Sequence, residues 1–354
     1  MKFLLSIILV FTVAAVTILA QDTIETKTIQ QRLNNFDVQD NRRWQMRYME
    51  NRRYLKSGGP MFILFGGEYE ITEIFLQPGV LHMYDMAREL NGTLLFTEHR
   101  YFGNSRPTPT ASTSDLRWLS IDQVLADVAN FIVQIKQTRP ELTNSGVFLV
   151  SGGYGGSLAM WFMKKYPHLA DGAWNTGGPI EYLVDFKKYL KAASDYFEEI
   201  GGRSCSRRVK RAFEELEELI EEGHYEEIER VFRFCQPLDW SKTSEVSNFI
   251  NQLITPLSFA VKTYTIQNQN VQNQCNQLLN SSLSSDIEAL SFLINGVTSD
   301  DPSEVCTTYS YADYVASLSE ANWSNIGSSE LLRQLTYLTC TQLGVFQTTS
   351  GGDT

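Results

Sequence analysis

Histidine is scarce in this sequence of 354 residues: there are four histidines, and none follows His224. The five cysteines form no C-x-x-C pair, which argues against the common zinc-binding and redox-dithiol motifs. Basic residues are fewer than acidic ones, 30 against 41, so that the formal net charge is −11. Nucleic acid is therefore not an expected partner, because its phosphates attract a basic surface.

Long apolar runs are missing from the chain, except at its N-terminus. Met1-Lys2 is followed by an apolar run from Phe3 to Ala20 and then by polar Gln21. A positive start, an apolar centre and a small residue before a polar segment are typical of a secretory signal peptide. A membrane anchor is the alternative, since the run is almost long enough to span a bilayer, but no basic cluster follows it directly. We predict a signal peptide over residues 1–20 and a secreted or lysosomal protein.

Sequons and cysteines agree with export. Three N-x-S/T sequons begin at Asn91, Asn280 and Asn322, and each is a candidate glycosylation site that favours a surface position. Disulfides are the default state of cysteine in an oxidising compartment. Five cysteines cannot all pair within one chain, so one thiol is left over.

Residues 21–182 have the pattern of an α/β fold. The apolar runs Met61–Phe65, Thr93–Thr97 and Gly146–Val150 predict buried strands, and the periodicity of Asp122–Gln137 predicts a helix. Strands that alternate with helices predict a parallel sheet, whose site lies at the carboxyl ends of the strands.

Residues 183–335 predict a mostly helical insertion. Apolar residues between Val209 and Ile220 follow a helical period, and glutamates between Glu214 and Glu222 lie on the other face. We interpret this charge run as a solvated helix face. Four cysteines fall in the insertion and Cys340 follows it, in the segment 336–354 that we predict to start a return to the α/β core.

The segment Gly146–His168 carries most of the functional information. A strand leads into the glycine-rich turn Ser151-Gly-Gly-Tyr-Gly-Gly156, and a helical pattern follows. This order is typical of the nucleophile elbow of α/β-hydrolases, where a tight, strained turn needs small flanking residues.

Further motifs occur in the order found in one family of serine peptidases. They are Phe65-Gly-Gly-Glu68, Glu98-His-Arg-Tyr-Phe-Gly-Asn-Ser-Arg-Pro107, Leu119-Ser120 with Gln123-Val-Leu-Ala-Asp127, and Tyr337-Leu-Thr-Cys-Thr-Gln-Leu-Gly344. With the elbow, they span nearly all of the chain after residue 20. On these motifs the sequence resembles the family of prolyl carboxypeptidase, dipeptidyl peptidase II and thymus-specific serine protease. The resemblance implies an α/β-hydrolase core with a helical, disulfide-bonded insertion that roofs the cleft.

The sequence departs from the family's pattern at the nucleophile. The family has serine in the third position of G-G-S-Y-G-G, where this chain has Gly153. The resemblance assigns the oxyanion donor to the backbone of Tyr154, and the cleft beside it to Gly67 and Glu68. It also implies that a catalytic Asp and His follow the insertion. The chain ends at Thr354 before either, so we expect a hydrolase core that is incomplete at its C-terminus.

Smaller departures include Tyr69 in place of the family's glycine and Gln342 in place of a glutamate. For the cysteines we expect two disulfides, Cys205–Cys275 and Cys235–Cys306, with Cys340 free.

Nearby polar residues are not expected to replace the missing groups. Ser151 lies at the end of the predicted strand and Ser157 at the start of the helix, so that both fall outside the turn. His99 is expected to belong to a structural polar cluster with Glu98 and Arg100 rather than to act as a base.

Two functions from different classes follow. In the first, the chain is a non-catalytic, secreted homologue that binds peptides, among them proline-containing ones, or a partner protein. In the second, it is an active serine exopeptidase of the proline-directed carboxypeptidase or dipeptidyl peptidase type, whose sequence is incomplete or misread. A structural or storage glycoprotein is a third reading. No metal and no organic cofactor is expected, and a homo-oligomer is left open.

Overall fold

The computed structural model describes residues 24–262, 269–280, 283, 285–298, 306–323 and 328–348. The predicted signal peptide lies outside these residues. The chain divides into two compact units: the first contains residues up to Tyr182 together with Ala321–Leu343, and the second contains Leu183–Glu320 and residues from Gly344 onward. Over the described ranges, no helix is long and apolar enough to cross a membrane.

The first unit is built on a six-stranded sheet with the spatial order β1-β2-β4-β3-β5-β6. In chain order, β1 to β6 span Ile24–Arg32, Arg43–Asn51, Met61–Leu64, Thr93–Thr97, Val147–Gly152 and Gly172–Thr176. The pairs β1–β2 and β2–β4 are antiparallel, and the pairs β4–β3, β3–β5 and β5–β6 are parallel. The three predicted strands and the predicted α/β class are confirmed.

Three helices connect the strands of the parallel part. They are α1, α2 and α3, which span His82–Leu90, Ile121–Thr138 and Gly153–Lys165. Helix α2 is the predicted helix, one residue longer at each end. Ser120 caps its N-terminus by accepting a hydrogen bond from the Gln123 N–H, and Pro140 follows its C-terminus.

Hydrophobic clusters cover both faces of this sheet, because successive residues of a strand point to opposite sides. In β3, Met61 and Ile63 pack in the cluster that contains residues of α2 and α3. Phe62 and Leu64 pack in the cluster that contains residues of α1. The sheet therefore lies between two helical layers, as in a doubly wound α/β-hydrolase core.

Burial is less complete at β6, which pairs with β5 alone among the described strands. Phe148 of β5 is 36% exposed and Trp174 of β6 is 45% exposed, and His82 stacks against Trp174. The predicted buried strand is therefore buried on one face of β5 and partly exposed on the other. The apolar run predicts the strand, but it carries no information about how far neighbouring elements cover each side.

The second unit is helical. Its helices α4 to α10 span Tyr189–Gly201, Arg203–Glu221, Tyr225–Val231, Thr243–Lys262, Asn270–Leu278, Asp286–Thr298 and Tyr311–Ser317. Helix α5 has the predicted amphipathic pattern, with Ala212 and Leu216 buried and Glu217 and Glu218 exposed. The disulfides are Cys205–Cys275 and Cys235–Cys306, the two pairs that we expected, and Cys340 is a free and exposed thiol.

The boundaries near the end of the chain differ from those that the sequence pattern predicts. Helix α11, Ser328–Leu338, belongs to the first unit, where Leu338 is buried in the core. Gln334 Nε2 donates a hydrogen bond to Tyr101 O at 3.0 Å, and Trp323 Nε1 donates to Thr108 O at 2.9 Å. Helical periodicity predicts which face of a segment is buried but not which core receives it, so it groups residues 321–335 with the insertion.

After α11, a π-helix spans Thr339–Leu343, and the chain then joins the second unit rather than continuing in the core. The Val345 N–H donates to Leu183 O at 2.7 Å and the Phe346 N–H donates to Val184 O at 2.9 Å. Residues 336–343 thus lie in the first unit, as the predicted return to the α/β core expects, whereas Gly344 and the residues after it belong to the second unit. The bonds of Val345 and Phe346 join backbone groups, so that no side-chain pattern identifies their partners.

Candidate active site

The turn between β5 and α3 has the geometry of a nucleophile elbow. Gly152 ends the strand, and Gly153 begins the helix with a φ of +54°, in the left-handed region. A residue with a side chain adopts this conformation at a cost in strain, which is typical of elbow nucleophiles. A Cβ added to Gly153 would meet no atom within 4 Å. The elbow is therefore present, with open space where a nucleophilic side chain would stand.

Close backbone packing places a second loop against the elbow. A Cβ added to Gly155 would lie 2.8 Å from Phe65 O, so that glycine is required there. A Cβ added to Gly67 would lie 3.2 Å from the backbone nitrogen of Gly155. The loop after β3 thus touches the first turn of α3. The structure brings together Gly67 and Tyr154, which the resemblance assigns to the cleft and to the oxyanion donor.

The first turn of α3 offers backbone donors. Tyr154 is the second residue of this helix, and N–H groups in a first turn have no carbonyl four residues earlier within the helix. The partial positive charge of a helix N-terminus stabilises an oxygen that gains negative charge. The elbow can therefore bind a carbonyl oxygen through its backbone without any side chain at Gly153.

The loop after β6 forms the third side of the elbow. The Asn175 side chain holds this loop, since its Nδ2 donates to Gly178 O and its Oδ1 accepts from the Gly178 N–H, both at 2.8 Å. Ser157 Oγ donates to Pro179 O in the same loop, and lies 3.1 Å from the Tyr182 hydroxyl. Asn175 and Tyr182 belong to no recognisable pattern in the sequence, so neither is predicted from it.

Neither serine near the elbow is free to act as a nucleophile. Ser151 is buried, and its Oγ donates to Phe65 O at 2.8 Å. Ser157 is fully buried and bonded as described above. Both hydroxyls stabilise loops, in agreement with the expectation from the sequence.

His99 is a neutral, buried side chain. Its Nδ1 lies 2.6 Å from Arg100 O, and because a carbonyl only accepts, Nδ1 carries the proton. Nε2 is then the acceptor for the Tyr154 hydroxyl at 3.3 Å. Burial lowers the pKa of His99 to about 3. The ring is therefore neutral at physiological pH, and its one acceptor is already used, which makes it a poor general base for the elbow.

The residues on either side of His99 are held in ion pairs. Glu98 is fully buried and pairs with Arg47, whose Nη2 lies 2.5 Å from Oε1. Arg100 binds Asp127 through two hydrogen bonds of 2.7 Å, with both side chains buried. The run Glu98-His99-Arg100 thus links β4 to α2 and to the loops around it, and its role in this structure is structural.

The predicted glycosylation sites differ in their surroundings. Asn280 and Asn322 are exposed, whereas Asn91 is half-buried at the C-terminal end of α1, with a φ of 55°. The hydroxyl of Thr93, in the first sequon, is buried and donates to Asn51 O at 3.2 Å.

Where the structure describes the chain, no three His, Cys, Asp or Glu side chains are grouped as metal ligands would be.

Known proteins resemble more than half of this chain. Human lysosomal Pro-X carboxypeptidase is 32% identical over 231 residues, which are 63% of this chain and 46% of the human protein. The bovine lysosomal Pro-X carboxypeptidase is 34% identical over 222 residues, 60% of this chain and 44% of the bovine protein. Prolyl carboxy peptidase like protein 5 of Caenorhabditis elegans is 29% identical over 219 residues, 59% of this chain and 42% of that protein. The match thus spans less than half of the length of these relatives.

A family profile also matches this chain, over nearly all of its length. The profile described as serine carboxypeptidase S28 matches residues 31–354, which include the elbow, the insertion and the motif around Cys340. The motifs that resemble prolyl carboxypeptidase and dipeptidyl peptidase II agree with this result. The chain therefore belongs to the serine carboxypeptidase S28 family.

Proposed function

We propose that this serine carboxypeptidase S28-family protein binds peptides, among them proline-containing ones, without cleaving them by the serine mechanism. The observation that carries the proposal is Gly153, which stands in the elbow with φ +54° and open space beside it. The names of the relatives, Pro-X carboxypeptidase and prolyl carboxy peptidase like protein, support a peptide ligand with proline.

A glycine at this position removes the covalent step. In serine peptidases the hydroxyl oxygen of the nucleophile attacks the carbonyl carbon, and glycine has no atom that can do so. Loss of the nucleophile of a triad costs on the order of 10⁶ in kcat, about 8 kcal/mol of barrier. Ser151 and Ser157 are both bonded to backbone carbonyls, so they offer no substitute.

Binding does not need the missing side chain. The backbone donors of the first turn of α3 and the loop Gly66-Gly67 remain in place around Gly153. An oxyanion site and the binding contacts alone supply roughly 10³ to 10⁴ of rate enhancement in serine peptidases, so these contacts act on the substrate without the triad. Retained recognition without a nucleophile supports peptide binding as the function.

A hydrolysis and binding experiment tests this proposal. The full protein that contains this chain is purified and incubated with proline-containing hexapeptides; binding is followed by calorimetry and cleavage by mass spectrometry. We expect saturable binding with intact peptides. Cleavage that a serine-hydrolase inhibitor abolishes would contradict the proposal, and so would the absence of binding to every peptide.

The open space at Gly153 also favours a second function. Because an added Cβ meets nothing within 4 Å, a serine fits this elbow without displacing any neighbour. If position 153 is serine in the natural protein, an active exopeptidase of the family's type becomes the better proposal. Sequencing the transcript through codon 153 decides between them: a glycine codon supports the binding protein, and a serine codon supports the peptidase.

We further propose that the protein is exported, to the lysosome or to the outside of the cell. The apolar run from Phe3 to Ala20, the two disulfides and the names of the lysosomal relatives support this location. N-terminal sequencing of the protein from its native cells is expected to start at Gln21, and a glycosidase is expected to reduce its apparent mass. An intact Met1 with no glycan would contradict export.

A further inference from the structure

Helix α5 of the second unit carries a stripe of exposed charges along one face. Successive members of the stripe are separated by four or three residues, a spacing that keeps side chains on the same side of a helix. The six members, all exposed, are Arg203, Arg207, Lys210, Glu214, Glu217 and Glu221. The first three are basic and the last three are acidic, so the stripe has a positive half and a negative half.

The helix itself does not favour this order of charges. A helix macrodipole is stabilised by acidic residues in the first turn and by basic residues in the last turn, and α5 has neither. It begins with Arg203 and ends with Glu221, which is the reverse arrangement. The order of charges is therefore unfavourable in the isolated helix, and a partner with a matching pattern would offset it.

Contacts within the chain satisfy the stripe only weakly. Lys210 Nζ lies 3.7 Å from Glu214 Oε1, and Arg203 Nε lies 3.6 Å from Glu198 Oε1. These side chains are between 45% and 85% exposed, and ion pairs of this kind contribute little in water. Most of the charge on this face is thus available to a partner.

Basic residues of α5 beside the stripe are paired more closely. Arg208 and Arg211 both bind Asp286, at 2.9 Å and 2.5 Å. Arg207, in contrast, donates to the backbone oxygen of Arg203 and forms no ion pair among the described residues. The last two glutamates of the stripe are exposed and likewise have no ion pair in the part of the chain that the structure describes.

The stripe is complementary to itself when a second copy is turned end to end. Its members lie two, five and nine residues on either side of Ala212. In an antiparallel pair of α5 helices centred there, each basic residue faces an acidic residue of the other copy: Lys210 faces Glu214, Arg207 faces Glu217, and Arg203 faces Glu221. The three basic residues of each copy are paired, which gives six ion pairs in all. A parallel pair would place like charges together.

We propose that two copies of this protein associate through antiparallel α5 helices, with the basic half of each stripe on the acidic half of the other. The two-fold symmetry follows from the pattern, because one surface that matches itself forms a closed dimer. The inference is independent of the proposed function, since it uses no residue of the elbow. Exposed ion pairs are individually weak and are screened by salt, so the dimer is weak and salt-sensitive.

Sedimentation velocity of the full protein that contains this chain measures the association. Protein over the micromolar range is compared in about 0.05 M and about 0.5 M salt. We expect a reversible dimer whose Kd increases about tenfold or more at the higher salt, because salt screens exposed charges. A protein that stays monomeric at low salt overturns the inference, and so does a dimer whose Kd does not depend on salt.

Two charge-reversal variants test the pairing itself. One makes the stripe wholly acidic and the other makes it wholly basic: they are Arg203→Glu/Arg207→Glu/Lys210→Glu and Glu214→Lys/Glu217→Lys/Glu221→Lys. Each variant repels a second copy of itself, so we expect the Kd of its dimer to increase about tenfold or more. An equimolar mixture of the two restores six opposite pairs and is expected to dimerise as the unaltered protein does.

The matched control reverses the same number of charges away from the stripe. Glu73→Lys/Glu89→Lys/Glu226→Lys changes the net charge as the basic variant does, at exposed residues, and is expected to dimerise as the unaltered protein does. A control that loses the dimer as fully as the basic variant overturns the inference, because net charge rather than the stripe would then govern association.

The variants also separate this surface from any other. A dimer that persists in either charge-reversal variant alone overturns the inference, because another surface then holds the copies together. A mixture that stays monomeric overturns it as well, since opposite stripes would then not attract. Circular dichroism verifies that each variant keeps its helices, and the salt dependence of the unaltered protein tests the proposal without any substitution.

Discussion

Gly153 and Gly155 of the elbow differ in how well each position would tolerate a side chain. Gly153 has a left-handed backbone and open space beside it, whereas Gly155 is in contact with the backbone of the loop after β3. A side chain is therefore tolerated at the first position and excluded at the second. The residue at position 153 therefore decides whether the elbow has a nucleophile, while the fold accepts either glycine or a side chain there.

We predict that Gly153→Ser lowers the free energy of unfolding by only about 1–2 kcal/mol, the usual cost of a side chain in the left-handed region. Gly155→Ser is the contrasting variant: its Cβ would lie 2.8 Å from Phe65 O, and we expect a larger loss, about 3 kcal/mol or more. Urea unfolding followed by fluorescence measures both. Equal losses for the two variants would contradict this account of the elbow.

At His99 we predict a dependence of stability on pH. The pKa of His99 is about 3 in the folded protein against an ordinary value of 6.5, so below pH 6.5 the unfolded chain takes up a proton that the folded protein does not. Stability therefore falls as the pH decreases from 6.5 toward 3, by about 1.4 kcal/mol per pH unit for this group. The contribution between pH 7 and pH 5 is about 2 kcal/mol.

The variant His99→Gln isolates this contribution, since glutamine is neutral at every pH. Urea unfolding at pH 5 and pH 7 is expected to show a smaller difference for His99→Gln than for the unaltered protein. The remaining difference belongs to the other titratable groups. If the two proteins have the same pH dependence, His99 is not buried in its neutral form.

How far the sequence predicts the site depends on whether the contacts are local. The order of strand, glycine-rich turn and helix predicts the elbow and the position of Gly153, because the turn's geometry is set by adjacent residues. The bonds of Ser157 to Pro179 and Tyr182 join residues more than twenty positions apart, and no pattern in the sequence indicates them.

At the scale of elements, the sequence pattern does not predict the unit in which helix α11 is buried. The sequence analysis includes most of this segment in the mostly helical residues 183–335, and the segment is a helix. The choice of the first unit as the place of burial depends on distant partners, such as Tyr101 O for Gln334 and Thr108 O for Trp323. The strands β3 and β4, in contrast, are predicted to the residue at most of their ends because they are short apolar runs between glycines or polar residues.

We predict that Leu338→Ala destabilises the first unit by about 2–5 kcal/mol, since this side chain is fully buried in its core. Leu332→Ala in the same helix is the control, because Leu332 is 39% exposed, and we expect a change of about 0.5 kcal/mol or less. Hydrogen exchange of the sheet amides, measured for both variants, reports on the first unit directly. Loss of protection in the second unit alone would contradict the assignment of α11.

The disulfides act on the helical unit through the unfolded chain. Cys235 and Cys306 are 71 residues apart, and a cross-link over a loop of this length stabilises a fold by about 4 kcal/mol. We predict that the double variant Cys235→Ser/Cys306→Ser loses most of this amount. Cys340→Ser is the control and is expected to leave stability unchanged, because this thiol is free and exposed. A double variant as stable as the unaltered protein would mean that helix packing and the Cys205–Cys275 disulfide hold the unit without this cross-link.

At the scale of the whole molecule, β5 and β6 expose apolar surface at one edge of the sheet. Phe148 and Trp174 are partly exposed, and among the described strands β6 pairs with β5 alone, a combination that favours association with other chains. We predict that residues 21–354, produced as a separate chain, self-associate with increasing concentration. Trp174→Lys is expected to reduce this association, and Leu90→Lys, at a residue 53% exposed on α1, is expected to have little effect.

Light scattering over a range of concentrations measures the association. A monomeric chain that unfolds in one cooperative transition would contradict the prediction, and so would an equal response to both lysine variants.

Gly153 leaves the elbow of this protein without a nucleophilic side chain, and reaction with a fluorophosphonate probe reveals whether any serine acts in its place. Such probes form a covalent adduct with an activated serine, and the intact mass of the full protein reports that adduct. We predict an unchanged mass and peptide binding that the probe does not block. A mass increase of one adduct, located on any serine of the protein, would contradict the account and show that serine chemistry survives despite Gly153.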